Sequence, residues 1–148
     1  HFRASERGGP QVTYMIVSER RAKETVKVTN PEDIYQALSR YHRKRKENFL
    51  VLTLNGAHEV ISIRIISIGI VNRSIVHPRE IFIEAIKDNA AAIVVAHNHP
   101  SGNTEPSEED REVTRRLTEA GKILGINVLD HVVFGQNGYY SFLEKGEL

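Results

Sequence analysis

Two short runs, NFLVLTL at 48–54 and AAIVVA at 91–96, constrain this chain more than any other feature. Side chains of an extended backbone alternate between faces, and in these runs both faces are largely apolar. Strands without a wet face belong at the centre of a covered sheet, which points to an α/β domain. They are not membrane spans. The longest apolar stretches are interrupted by Arg64, Asn72 or Arg73, well short of the roughly 20 residues a span needs.

Helix and turn signals surround these runs. Asn30 is an N-cap followed by Pro31 at the first helical position and acids at Glu32 and Asp33. The helix it opens carries Ile34, Leu38 and Tyr41 on one face and is expected to end near Lys46. Asn55-Gly56 predicts a tight hairpin with two positive-φ residues, leading to a partner strand from about 58 to 67 and extended chain past Gly69 to Ile75. His77-Pro78 begins a second helix with Ile81, Phe82, Ala85 and Ile86 toward the sheet. Ser107 caps a third, with Val113, Leu117, Ala120 and Leu124 at helical spacing and Gly125 as its stop. Strands at 126–134 and 139–143, joined through Asn137-Gly138, close the domain. At the other end, residues 1–11 read as a flexible lead-in. Alternation over Val12–Val17 suggests a strand, with SERRAKET as the loop after it. The expectation is one domain over 12–148: a mixed sheet with about three flanking helices and no internal repeat.

Composition narrows the chemistry. A chain of 148 residues can bury a core without metal or disulfide staples, so a bound metal would serve chemistry. Twenty Lys+Arg against nineteen Asp+Glu leave a formal charge of +1, which argues for neither a general polyanion binder nor a membrane-surface protein. There is no cysteine, hence no thiolate ligand and no thiol nucleophile. The polar start lacks a signal-peptide core, and the expectation is a soluble, cytoplasmic protein.

The informative segment is AHNHPSGNTEPSEED at 96–110. Leaving an apolar strand, His97 and His99 project to one side while Asn98 points away. Two imidazoles so placed can share a Zn²⁺ ion, and a catalytic zinc takes a third protein ligand and keeps a position for water. Asp110, in the first turn of the following helix, is the candidate third ligand, carried back over the strand end by a Gly/Pro loop. Taken singly, the histidines could be hydrogen-bonded side chains and Asp110 the far half of a Ser-x-x-Asp cap. Their coincidence favours the metal.

Written out, His97-x-His99, seven residues, Ser107, two residues and Asp110 match the JAMM motif of MPN+ metallopeptidases. HNHPSG at 97–102 and VLDH at 128–131 resemble the RadC branch, and the likeness covers roughly 12–143. The resemblance implies an MPN/JAB, cytidine-deaminase-like fold and a zinc-activated water attacking an amide carbonyl. It implies Ser107 as hydrogen-bond donor to the activated species and an upstream glutamate as general base. The helix-hairpin-helix region of longer RadC proteins is not recognisable, so the chain is a short member or the catalytic half of a longer one. Glu47, where a helix leads into strand 48–54, occupies the family's position for the base. If that strand runs antiparallel to 91–97, its start lies beside His97. Glu59 and Glu80 are the alternatives.

Asp130-His131 is a candidate pair for orienting a ligand, since metal-bound imidazoles usually donate their other N–H to an acceptor. His77 opens a helix, and the RKRK run at 43–46 is a solvated helix end able to touch phosphates. Three functions compete: a zinc metallopeptidase or isopeptidase acting on a peptide or protein conjugate; a DNA-associated module whose metal is structural or acts on phosphodiesters; and an inert scaffold, which an intact motif disfavours. Near-zero charge and the lack of clustered stacking aromatics weigh against DNA.

Overall fold

Strands β1 (Asn48–Leu54) and β3 (Ala92–Asn98) are buried at every residue, as runs apolar on both faces require. The computed structural model describes residues 25–72 and 76–148, so the expected lead-in and the strand at 12–17 lie outside the described residues. Among these, β2 (Val60–Ile68), β4 (Asn127–Gly135) and β5 (Gly138–Ser141) complete a five-stranded sheet of order β2-β1-β3-β4-β5. β1 is antiparallel to both neighbours, with Phe49 opposite His97, and β3 is parallel to β4. The sheet is mixed, and the described residues hold three α-helices: α1 (Pro31–Ala37), α2 (Pro78–Lys87) and α3 (Glu108–Leu124).

The helices cover both faces. Leu50, Leu52, Val94, Ala96, Val132 and Phe134 pack with Ile34 of α1 and with Leu38, its C-cap, on one side. On the other, Phe49, Val51, Ile93 and Val95 meet Ile81, Phe82 and Ala85 of α2 and Val113 and Leu117 of α3. One irregularity in β4 bears on the site. Ile93 pairs with Val128 but Val94 with Asp130, leaving Leu129 as an extra residue. Such a bulge reverses the alternation beyond it. Val128 lies on the α2/α3 side, and past the bulge so does His131, while Val132 faces α1.

Several boundaries depart from expectation. The first helix stops at Ala37, followed by one 3₁₀ turn at Ser39–Tyr41 rather than helix to Lys46. The Asn98 amide takes the Lys44 and Lys46 carbonyls, and the Asn48 amide also takes Lys46, so these groups do not continue a helix. The first hairpin has five connecting residues, not two. Asn55 accepts from the N–H groups of Ala57 and Glu59, and the positive φ falls on His58 (62°), not on Asn55-Gly56. β2 ends at Ile68, before Gly69 at φ 124°, so extended pairing does not continue to 72. Ile86 is 60% exposed, because five residues beyond Ile81 a helix has turned past its inward face. Leu124 is 48% exposed, and Gly121 instead brings the end of α3 against Ile126 and Val128. The last turn sits on Gln136-Asn137. No helix among the described residues is long and apolar enough to cross a membrane.

Candidate metal centre

The alternation of β3 decides which groups meet. His97 and His99 leave the strand toward the α2/α3 side, where the His97 ring is fully buried and stacks on Phe49 (5.9 Å between centroids). Asn98 points the other way, as expected. Its Oδ1 accepts the Asn48 N–H (2.7 Å), which ties the start of β1 to the end of β3.

Asp110 is carried in by a capping box. Ser107 Oγ accepts the Asp110 N–H (3.0 Å) and Asp110 Oδ2 accepts the Ser107 N–H (2.8 Å). The cap is therefore real, and the same carboxylate also reaches the imidazoles. Its oxygens lie 3.1 Å from His97 Nε2 and 3.3 Å from His99 Nε2. Gly102, at φ 89°, lets the intervening loop turn sharply, and its N–H donates to His99 O (2.9 Å).

Hydrogen bonding orients both rings. His99 Nδ1 faces the Asn103 carbonyl (2.8 Å), which can only accept, so Nδ1 carries a hydrogen and in the neutral ring Nε2 keeps a lone pair. His97 Nδ1 contacts His131 Nε2 (3.0 Å). The two Nε2 atoms lie 3.1 Å apart, close enough for their lone pairs to share one cation. Tetrahedral zinc at 2.0–2.2 Å from each ligand sets ligand–ligand separations of about 3.3–3.5 Å. The spacings of 3.1, 3.1 and 3.3 Å among His97, His99 and Asp110 fit that ion to within a few tenths of an ångström.

Electrostatics favour a cation in the same place. Burial raises the Asp110 pKa, but contacts with His97 and His99 outweigh it and hold the carboxyl far below its ordinary range. The Asp110 carboxylate strengthens proton binding at His99 against the opposing effect of burial. Burial, helped by the neighbouring imidazole of His97, holds His131 well below its ordinary pKa and therefore neutral.

Glu47 immediately precedes β1, and the antiparallel pairing of Phe49 with His97 brings it to the same mouth. Glu47, His97 and His99 each offer a ligand atom within 4.8 Å of the others, so this trio can also hold a metal. Among the described residues Glu47 forms no ion pair with either ring, unlike Asp110. Its backbone carbonyl accepts from Gly69 (2.8 Å), between Ile68 and Ile70, which are 61% and 73% exposed. Glu59 and Glu80 lie elsewhere: Glu59 is bound to Asn55 in the first hairpin and Glu80 sits in the first turn of α2.

These features decide the family when set beside known proteins. A model of the RadC-like JAB domain matches residues 28–147. The chain belongs to the RadC-like JAB domain family. A UPF0758 protein of Methanospirillum hungatei is 52% identical over 128 residues, covering 85% of this chain and 57% of its own length. UPF0758 proteins of Alkaliphilus metalliredigens (52% identical, covering 80% of this chain and 52% of its own length) and Caldanaerobacter subterraneus (52%, covering 83% and 53%) are similar. The chain thus spans about half the length of the curated relatives it matches.

Other predicted residues part company in this RadC-like domain. Of Asp130-His131, only His131 meets a metal-site ring. Asp130 accepts from Ser141 Oγ (2.6 Å), Leu143 N (3.0 Å) and His131 N (2.7 Å), pinning the chain after β5. His77 is the N-cap of α2 without a side-chain capping bond. Arg43, Lys44 and Arg45 are exposed, and with Pro100, Ser101, Gly102, Gln136 and Asn137 they line a cleft of about 350 Å³. Sequence reasoning missed Thr114, which contacts both the Asp110 carbonyl and the His131 ring. Its position four residues after Asp110, on the same helix face, was the available signal.

Proposed function

We propose that the domain is a zinc-dependent hydrolase of amide bonds, a metallopeptidase or isopeptidase acting on a peptide or protein conjugate. The carrying observation is the convergence of two imidazole Nε2 atoms and the Asp110 carboxylate at 3.1–3.3 Å, with a separate Glu47 carboxylate within 4.8 Å of the rings. His97, His99 and Asp110 would hold the ion. Bound there, zinc would lower the pKa of a coordinated water toward 7 and polarise the scissile carbonyl. Glu47 suits the general base because it stands near the ligands without joining them. It takes a proton as water's oxygen bonds to the carbonyl carbon, and delivers that proton to the departing nitrogen as the C–N bond breaks. Ser107 accepts at Oγ from Asp110 N–H, and its hydroxyl hydrogen is uncommitted among the described residues, leaving it available to the developing oxyanion. Exposed Ile68 and Ile70 beside Glu47 suit a polypeptide substrate.

The test is metal content per chain, followed by cleavage of peptide-linked and isopeptide-linked conjugates with and without chelator. About one zinc per chain and chelator-sensitive cleavage support the reading; full activity in a metal-stripped protein overturns it. The cationic cleft favours one second reading, a nucleic-acid-associated domain. Affinity for DNA that falls steeply with salt and is lost on reversing Arg43 and Arg45 to Glu would support that alternative.

A further inference from the structure

We infer that His131, braced by Thr114, is a positioning residue that sets the hydrogen placement on His97 and aims its Nε2 lone pair at the cation position. The inference rests on the metal reading above and adds residues behind the ligands, His131 against the His97 ring and Thr114 against the Asp110 backbone carbonyl.

The direction of the chain follows from counting hydrogens. Thr114 Oγ1 lies 2.8 Å from the Asp110 backbone carbonyl, which can only accept, so its single hydroxyl hydrogen is spent there. Toward His131 Nδ1 the same oxygen can then only accept, and His131 carries its hydrogen on Nδ1. In a neutral ring that leaves Nε2 bare. His97 Nδ1, 3.0 Å away, must therefore donate, and the His97 hydrogen is kept off Nε2. Nothing else near His97 Nδ1 imposes this choice among the described contacts.

The geometry leaves little freedom to undo the arrangement. His131 is fully buried and lies parallel to Phe142 at 4.7 Å with 7° between the planes, and edge-on to Phe49. His97 is likewise fully buried. Thr114 is buried one helical turn from Asp110, so one segment of α3 supplies both a carboxylate to the rings and the atom that orders the hydrogens behind them. The bulge at Leu129 is what turns His131 to this face.

The experiment compares wild type, His131→Phe, His131→Gln and Thr114→Val, all as the full chain. Phe preserves the aromatic stack and removes the acceptor for His97; Gln restores an acceptor near the position of Nε2. Zinc affinity is measured by competition with a chelator of known strength, and imidazole nitrogen NMR shifts of His97 are read on metal-free protein. His131→Phe is expected to weaken zinc about 10–100-fold, the usual effect of removing a ligand's hydrogen-bonded partner, with His131→Gln recovering most of the loss. In metal-free wild type His97 should carry its hydrogen on Nδ1, and Thr114→Val should populate the other form. A purely structural role would lower the melting temperature of the Phe and Gln variants without separating their zinc affinities. Equal affinity in wild type and His131→Phe, or a His97 hydrogen on Nε2 in metal-free wild type, overturns the inference. If His131→Phe does not fold, Thr114→Val decides by the same two readouts. The nitrogen shifts need no metal: a wild type that binds no zinc sinks the hydrolase reading, and the shifts alone then judge the role of His131.

Discussion

Replacing Glu47 by Gln separates a base from a ligand. Glu47 is partly exposed and within 4.8 Å of the ring nitrogens, whereas Asp110 is buried and in contact at 3.1–3.3 Å. With that 4.8 Å spacing as the separation from a divalent ion, removing one negative charge costs about 1.7 kcal/mol in a water-like dielectric, roughly a factor of 20 in affinity. Zinc at ~100-fold above the wild-type Kd should offset that loss and keep the variant loaded. Loss of a positioned general base lowers turnover about 10²–10⁴-fold, or ~2.7–5.4 kcal/mol of barrier. The assay is hydrolysis of a conjugate substrate followed by mass spectrometry across a buffered zinc titration, beside Asp110→Asn. Activity lost in Asp110→Asn should return in part as zinc rises, and activity lost in Glu47→Gln should not. Turnover of Glu47→Gln within threefold of wild type at saturating zinc would refute the base assignment. A zinc loss as deep as that of Asp110→Asn would make Glu47 a ligand instead.

His97→Ala with His99→Ala should bring zinc from about one per chain to none while far-UV circular dichroism is unchanged, because the core does not depend on the ion. Gly121→Ala should destabilise by about 1–3 kcal/mol in urea despite the better helix former, since a Cβ there would lie 2.5 Å from the Ile126 carbonyl oxygen. Burial raises the Asp88 pKa, but hydrogen bonds from Arg64, Ser62 and Thr53 outweigh it and hold the carboxyl below its ordinary 3.8. A folded-state pKa below the unfolded one gives stability that is present above the unfolded value and disappears as pH falls through the folded one. The stability advantage of wild type over Asp88→Asn, measured by urea unfolding, should therefore be constant near neutrality and shrink below about pH 4. An advantage that grew on acidification would contradict the network seen at Asp88.

Much of the fold was legible because few alternatives exist for a run with no wet face. NFLVLTL and AAIVVA could only be central strands, and their antiparallel pairing, assumed in placing Glu47, appears with Phe49 opposite His97. The loops were less legible. Asn55 spends its side chain on the N–H groups of Ala57 and Glu59, which makes a longer connection than its pairing with Gly56 suggests. At the site, the juxtaposition of His97, His99 and Asp110 was accessible because a two-residue strand spacing and a helix cap are local patterns. Two readings offered there as alternatives, cap and cation-facing carboxylate, use different lone pairs of one Asp110 side chain and coexist. Thr114 was hidden because its role depends on His131, seventeen residues away and on a different element.

The odd residue in β4 sets a condition on anyone who would transplant this centre. A graft that copied His97, His99, Asp110, Thr114 and His131 onto a regular parallel strand pair would present Asp130 and Val132 to the cavity and send the His131 ring into the opposite layer. Deleting Leu129 from the native chain, by contrast, would remove the bulge and leave His131 opposite Val95, two positions after Val128 and on the same face. What must travel with the side chains is therefore a count: between Val128 and His131 the strand either bulges at Leu129 or is one residue shorter, because that count determines the side from which His131 is seen.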